Sequence, residues 1–148
     1  MRRSKLLMLF GGLLVATGLA AACGSTTTAA VNNPIVTTPS TTTTEIYSGS
    51  IGLNGAASYN FTVASLGTIT ATMTTLTGGP ANVKVGFSLG TWNGASCSTG
   101  AGLFTDSAVQ GTVISGATSS SGSLCVRVYD AAGILTTPVS YTVTVIHP

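Results

Sequence analysis

Thr68-Ile69-Thr70-Ala71-Thr72-Met73-Thr74 alternates a hydroxyl-bearing residue with an apolar one at every step. Successive side chains of an extended strand point to opposite faces, so this spacing gives one wet face and one dry face and does not fit a helical period. Threonine adds to the preference, because its branched Cβ favours extended backbone while its hydroxyl faces water. The stretch predicts a strand with Ile69, Ala71 and Met73 turned into a core.

The same period runs outward through the second half of the chain. Tyr59, Phe61 and Val63 alternate with Asn60 and Thr62, and Val83, Val85, Phe87 and Leu89 alternate with Lys84, Gly86 and Ser88. Leu124, Val126 and Val128 flank Cys125 and Arg127, and the chain closes with Tyr141, Val143 and Val145 around Thr142 and Thr144. Ile46–Leu53 and Ala108–Ile114 are weaker candidates. Asn54-Gly55, Gly78-Gly79-Pro80, Asn93-Gly94, Ser121-Gly122 and Ala132-Gly133 punctuate these runs with residues that turns demand. Seven to eight short strands without helical periodicity predict an all-β fold, an antiparallel β-sandwich over residues 45–148. About 100 residues is an ordinary size for one independent core.

Ahead of that domain, Gly24–Thr44 reads GSTTTAAVNNPIVTTPSTTTT, with 11 Ser or Thr among 21 residues, two prolines and no aromatic or charged side chain. Such a segment has too little apolar surface to repay its ordering, so residues 23–44 are expected to form a flexible tether. At about 3.1 Å per residue in polyproline-like segments it would reach roughly 60 Å.

The first 22 residues give an address. Arg2, Arg3 and Lys5 precede an apolar stretch from Leu6 to Leu19, and Ala20-Ala21-Ala22 stands directly before Cys23. The segment resembles a bacterial lipoprotein signal, which implies acylation of the Cys23 thiol, removal of residues 1–22 and a membrane held through an N-terminal lipid. Ala20 stands where such signals usually carry Leu, with Leu19 one place earlier. A plain secretory signal also fits, since Ala20-x-Ala22 is an A-x-A site. Leu6–Ala22 is short for a span, which needs about 20 apolar residues. Gly24 after the cysteine, rather than Asp, favours the outer membrane over the inner where that sorting rule operates.

Removing the signal takes the formal charge from +2 to −1 and leaves Glu45, Lys84, Asp106, Arg127 and Asp130 as the charged side chains. Five such groups cannot form a basic stripe that neutralises several phosphates, which argues against a nucleic-acid partner.

The opening Tyr47-Ser48-Gly49-Ser50-Ile51, then Ser58–Val63, then Gly67–Thr72, together with Cys125–Asp130 and Ser140–Val145, resemble the bacterial pre-peptidase C-terminal domain. That likeness covers most of residues 45–148 and implies a jelly-roll-like sandwich carried on a secreted protein. Its calcium-binding members place closely spaced acids where this chain has Ala81-Asn82-Val83-Lys84-Val85, so calcium binding is not implied.

Catalytic chemistry finds little foothold. The single histidine, His147, is the penultimate residue and reads as a frayed terminus. No serine has a nucleophile-elbow context, and Asp106 and Asp130 would form a carboxylate pair only if the fold joined them. Asp130 before Ala131-Ala132-Gly133 reads instead as a turn former that accepts backbone N–H bonds. The expectation is a domain with no catalytic residues, metal or cofactor; a small hydrolase is the least supported alternative. With Cys23 acylated, Cys97 and Cys125 remain as a pair that an oxidising compartment would join, pinning the irregular segment Trp92–Gly102 to the strand holding Cys125. For ligand contact, Trp92 beside Asn93-Gly94 is the first candidate, with Tyr129 and Tyr47 after it, because an exposed aromatic can stack on a sugar ring or anchor a protein contact. The competing role for Trp92 is to cap the core and shield the disulfide. The sequence thus points to a non-catalytic envelope lipoprotein presenting a binding or structural domain, with a glycan or another envelope protein as partner. A carbohydrate-binding module using Trp92 is the alternative.

Overall fold

The computed structural model describes residues 41–148, and these form eight strands. They are β1 (Thr43–Ile51), β2 (Ala56–Val63), β3 (Gly67–Gly78), β4 (Val85–Trp92), β5 (Cys97–Ala108), β6 (Val113–Thr118), β7 (Gly122–Tyr129) and β8 (Val139–His147). The signal segment, Cys23 and most of the Ser/Thr-rich tether lie outside the described residues. One sheet has the order β1-β8-β3-β6, the other β2-β7-β4-β5, and every neighbouring pair is antiparallel. Every connection except β4–β5 passes from one sheet to the other. This is the jelly-roll arrangement of an all-β sandwich.

The core follows from strand parity. Ile69, Ala71 and Met73 from β3, Val143 and Val145 from β8, and Phe87 and Val128 from the second sheet are buried in one cluster between the two sheets. On β8 the intervening Thr142 and Thr144 keep partial exposure on the opposite face. A one-residue slip would exchange these sets, so the apolar alternation itself fixes the register.

Four local expectations need correction. Cys97–Gly102 is not irregular: it belongs to β5, an edge strand that pairs only with β4. Its alternation is hidden because the register with β4 shifts twice, once where the four residues Gly100–Leu103 stand opposite Leu89 alone. Trp92 consequently ends a strand rather than sitting in a loop. Ala108–Ile114 is not one strand: Ala108 ends β5, Val113 and Ile114 open β6, and between them Val109–Thr112 form a turn docked where the Gly111 N–H donates to the Met73 carbonyl at 2.7 Å. His147 is not frayed: it is 3 % exposed, pairs with Thr43 across β1 and β8, and lies beside the Phe61 ring.

The β1 edge of the sandwich is closed by a polar seam. Glu45 Oε1 meets His147 Nε2 at 3.2 Å, the Tyr47 hydroxyl donates to Glu45, and Tyr47 stacks on Tyr59 with centroids 4.9 Å apart. Tyr59 and Tyr141 share a hydrogen bond of 3.0 Å between hydroxyls. Burial, reinforced by those partners, pushes the Tyr47 and Tyr141 phenols well above their ordinary range, so both remain neutral donors.

Asp130 joins two crossovers at one end. The backbone N–H groups of Asn54, Ile134 and Leu135 donate to its carboxylate at 3.0, 3.2 and 3.3 Å, which ties the β1–β2 turn to the β7–β8 connection. Desolvation alone would raise its pKa, but these N–H groups and that of Gly133 outweigh it and hold the carboxyl below its usual range. Asp130 is the turn former that its sequence context suggests.

Candidate functional site

Val85, Phe87 and Leu89 fill the core, so Gly86, Ser88 and Gly90 belong to the outer face of the second sheet. All three are nonetheless buried, which requires something to lie on top of them. A Cβ added at Gly90 would stand 2.0 Å from the Ser98 carbonyl oxygen, and one at Gly86 would stand 2.3 Å from the Tyr129 ring. Glycine is needed at both places for close approach rather than for an unusual backbone angle. Between them Thr99 donates to the Ser88 hydroxyl at 3.3 Å.

The covering over Gly90 is the β4–β5 hairpin, folded back across the sheet. Its turn is organised by Asn93, whose side-chain oxygen accepts the N–H groups of Ala95 and Ser96 at 3.0 and 2.8 Å. The Asn93 amide nitrogen also donates to the Ser96 hydroxyl at 3.0 Å. The Cys97–Cys125 disulfide, with Cα atoms 5.7 Å apart, then fastens the hairpin to β7, an interior strand. Closing this loop, with a sequence separation of 28, contributes about 3–4 kcal/mol in the chain-entropy description.

Beside the hairpin lies a group with more chemical reach. The Tyr129 ring rests against the Gly86 backbone, and its hydroxyl donates to Asp106 Oδ1 at 2.6 Å. The aromatic plane is therefore fixed both by the glycine next to it and by the carboxylate at its tip. Desolvation first, then the Asp106 hydrogen bond and charge, push the phenol up to about 12, with Arg127 pulling the other way; the hydroxyl stays protonated at neutral pH. The Arg127 guanidinium lies 5.1 Å from the ring centroid, within the range of a cation–π contact. Arg127 pairs laterally with Ser58 and Ser88, and Ser88 in turn with Phe104, whose side chain is 53 % exposed. One outer face thus carries a fixed aromatic ring, a carboxylate acceptor, a guanidinium donor and an exposed phenyl group.

Tyr129 lies within this group, whereas Trp92 stands six positions further along β4 from Gly86, roughly 20 Å at about 3.3 Å per strand residue. Trp92 has the same strand parity as Gly86 and Gly90, is partly buried, and pairs with Cys97 of the disulfide. It is not among the side chains packed on the core cluster, so the core-capping role does not describe it. Tyr47 belongs to the seam at the β1 edge. Asp106 and Asp130 have separate partners, a phenol and a set of backbone N–H groups. Cys23 lies outside the described residues.

Sequence reasoning passed over Phe104, the acceptor role of Asp106, and any role for Arg127. The outward parity of Arg127 and Tyr129 on one strand was the available signal. Gly86 gave none, because a glycine in a strand does not announce which ring it will meet.

A larger cavity of about 380 Å³ opens between the sheets where β5 and β6 form their edges. Its lining combines Ile69, Leu89, Leu103 and Leu124 with hydroxyls from Thr118 to Ser121, and includes no charged or aromatic side chain. It offers neither a charged group nor a stacking plane, in contrast to the outer face of the second sheet.

Compared with known proteins, the chain matches no family model and no curated protein.

Proposed function

We propose that this chain is a non-catalytic binding protein of the bacterial cell envelope, acylated at Cys23, whose jelly-roll domain takes a saccharide on the outer face of its second sheet. The observation that carries the reading is the Tyr129 ring held against Gly86, with Asp106 at its hydroxyl and Arg127 beside it. A fixed aromatic plane suits the apolar face of a sugar ring, and neighbouring charged donors and acceptors suit its hydroxyls. Trp92 and Phe104, elsewhere on that sheet, extend the surface available to a chain of several sugars.

The role is binding rather than turnover because the carboxylates of the described domain have structural partners. Glu45 serves the seam, Asp106 holds Tyr129 and Asp130 ties the crossovers. The likeness to pre-peptidase C-terminal domains agrees with an accessory module on an exported chain. The Ser/Thr-rich tether lets that module stand away from the lipid; export without a lipid is the alternative for localisation.

Two measurements test the proposal. Mass spectrometry of the mature N-terminus is expected to find diacylglyceryl-modified Cys23, and an unmodified Cys23 on a soluble chain would replace anchoring with plain secretion. A glycan array is expected to give saccharide hits that weaken on the order of tenfold in Tyr129→Ala, and less in Trp92→Ala. Hits insensitive to both variants would move binding off this face.

A further inference from the structure

Arg127 is the charged group of a second, smaller recess on the same face, with a volume of about 250 Å³. Ala56 and Ser58 of β2 form one wall, and Ala95, Ser96 and Cys97 of the folded-back hairpin form the other. The hairpin wall is held in place by the Asn93 hydrogen bonds and by the disulfide to Cys125, so the recess is built from fixed parts. Arg127 occupies an interior strand, its lateral neighbours Ser58 and Ser88 are neutral, and no carboxylate among the described residues lies in ion-pair range of it. Its contact is instead with the Tyr129 ring. The nearby acid, Asp106, already accepts the Tyr129 hydroxyl.

A guanidinium that has no carboxylate partner among the described residues and lines a recess with two serines, Ser58 and Ser96, in its walls is complementary to an oxyanion. Its planar fork matches the two oxygens of a carboxylate better than a single neutral hydroxyl. Resting on saccharide binding at this face, we propose that the ligand is an acidic saccharide, and that Arg127, with Ser58 and Ser96 beside it, receives the carboxylate of a uronic acid unit while Tyr129 carries the adjoining ring. Arg127 is then the residue that separates acidic from neutral polymers.

The test measures binding of the full chain to an oligogalacturonate, to the matching neutral galactan oligomer and to a sulfated galactan, with wild type, Arg127→Gln and Arg127→Lys. Wild type is expected to hold the uronate about tenfold more tightly than the neutral oligomer, as a charge-assisted hydrogen bond predicts, with the preference shrinking as salt rises. Arg127→Gln is expected to abolish the preference, weakening the uronate far more than the neutral oligomer, and Arg127→Lys to restore only part of it. An equal affinity of wild type for uronate and neutral oligomers, or a preference that survives Arg127→Gln, would overturn the acidic assignment and leave saccharide binding standing. Tighter binding of the sulfated galactan would overturn the carboxylate assignment in particular. If none of the three binds, both readings fail together.

Discussion

The two outer faces of the sandwich are built by the same alternation and end up chemically opposite. On the first sheet the outward residues of β1, β8, β3 and β6 are mostly threonine and serine, and they bond to one another. Ser48 meets Thr142 at 3.0 Å, Thr74 meets Thr144 at 3.2 Å and Thr70 meets Ser115 at 3.5 Å. Hydroxyls that pair across strands stabilise the sheet by tenths of a kcal/mol up to about 1 kcal/mol per pair and have less capacity left for a ligand. On the second sheet the outward positions carry Tyr129, Arg127, Asp106 and Phe104 together with a folded-back hairpin, and the guanidinium there has no acidic partner among the described residues. A strand period fixes which residues face out, but only their mutual satisfaction decides whether a face is coating or site.

The sharpest way to break the comparison is to attack the core that both faces share. Val143→Asp would bury a carboxylate with no partner and is expected to cost several kcal/mol, a large share of the roughly 5–15 kcal/mol that holds a domain of this size. Thr142→Asp, one residue away on the hydroxyl face, is expected to lower the melting temperature only slightly. Thermal unfolding of both variants checks this, and tolerance of Val143→Asp would invert the register of β8.

Next in size is the staple, which belongs to the second sheet alone. Replacing Cys97 and Cys125 together with serine is expected to lower stability by about 3–4 kcal/mol in the chain-entropy description. Hydrogen exchange should quicken first at Asn93–Ser98 while β3 and β8 of the first sheet keep their protection. Uniform loss of protection over both sheets would mean that the hairpin is part of the common core rather than an addition to one face.

The smallest effect is acid sensitivity at the end where the sheets are joined. Asp130 has its folded pKa lowered, so its stabilising contribution is full above its ordinary value of 3.8 and disappears as pH falls through the lower folded value. Asp130→Asn should flatten that part of the acid unfolding curve. An unchanged curve would mean that the Asp130 carboxylate contributes nothing to the acid sensitivity of the fold.

Much of the fold was legible because burial imposes its own period. Ile69-x-Ala71-x-Met73 and Tyr141-x-Val143-x-Val145 state strand, face and register at once. β5 was not legible, because the irregularity at Gly100–Leu103 and its edge position remove the alternation, and Ala108–Ile114 imitated one strand although a turn at Val109–Thr112, docked on Met73, divides it between β5 and β6. His147 was misjudged for a different reason: its burial comes from pairing with Thr43 and packing beside Phe61, both distant in sequence. Tyr129 could be picked out as an outward aromatic, but the Gly86 contact that fixes its plane is a property of the assembled sheet.

The most direct test of a ligand face on the second sheet is chemical-shift mapping of the isotopically labelled full chain titrated with oligogalacturonate. The backbone amides of Tyr129, Arg127, Asp106 and Ser96 are expected to shift together in a saturable way, with those of Thr70, Ser115 and Thr142 unmoved. Saturable shifts centred on the threonine face, or none on the second sheet at ligand concentrations where binding is measured, would contradict the account.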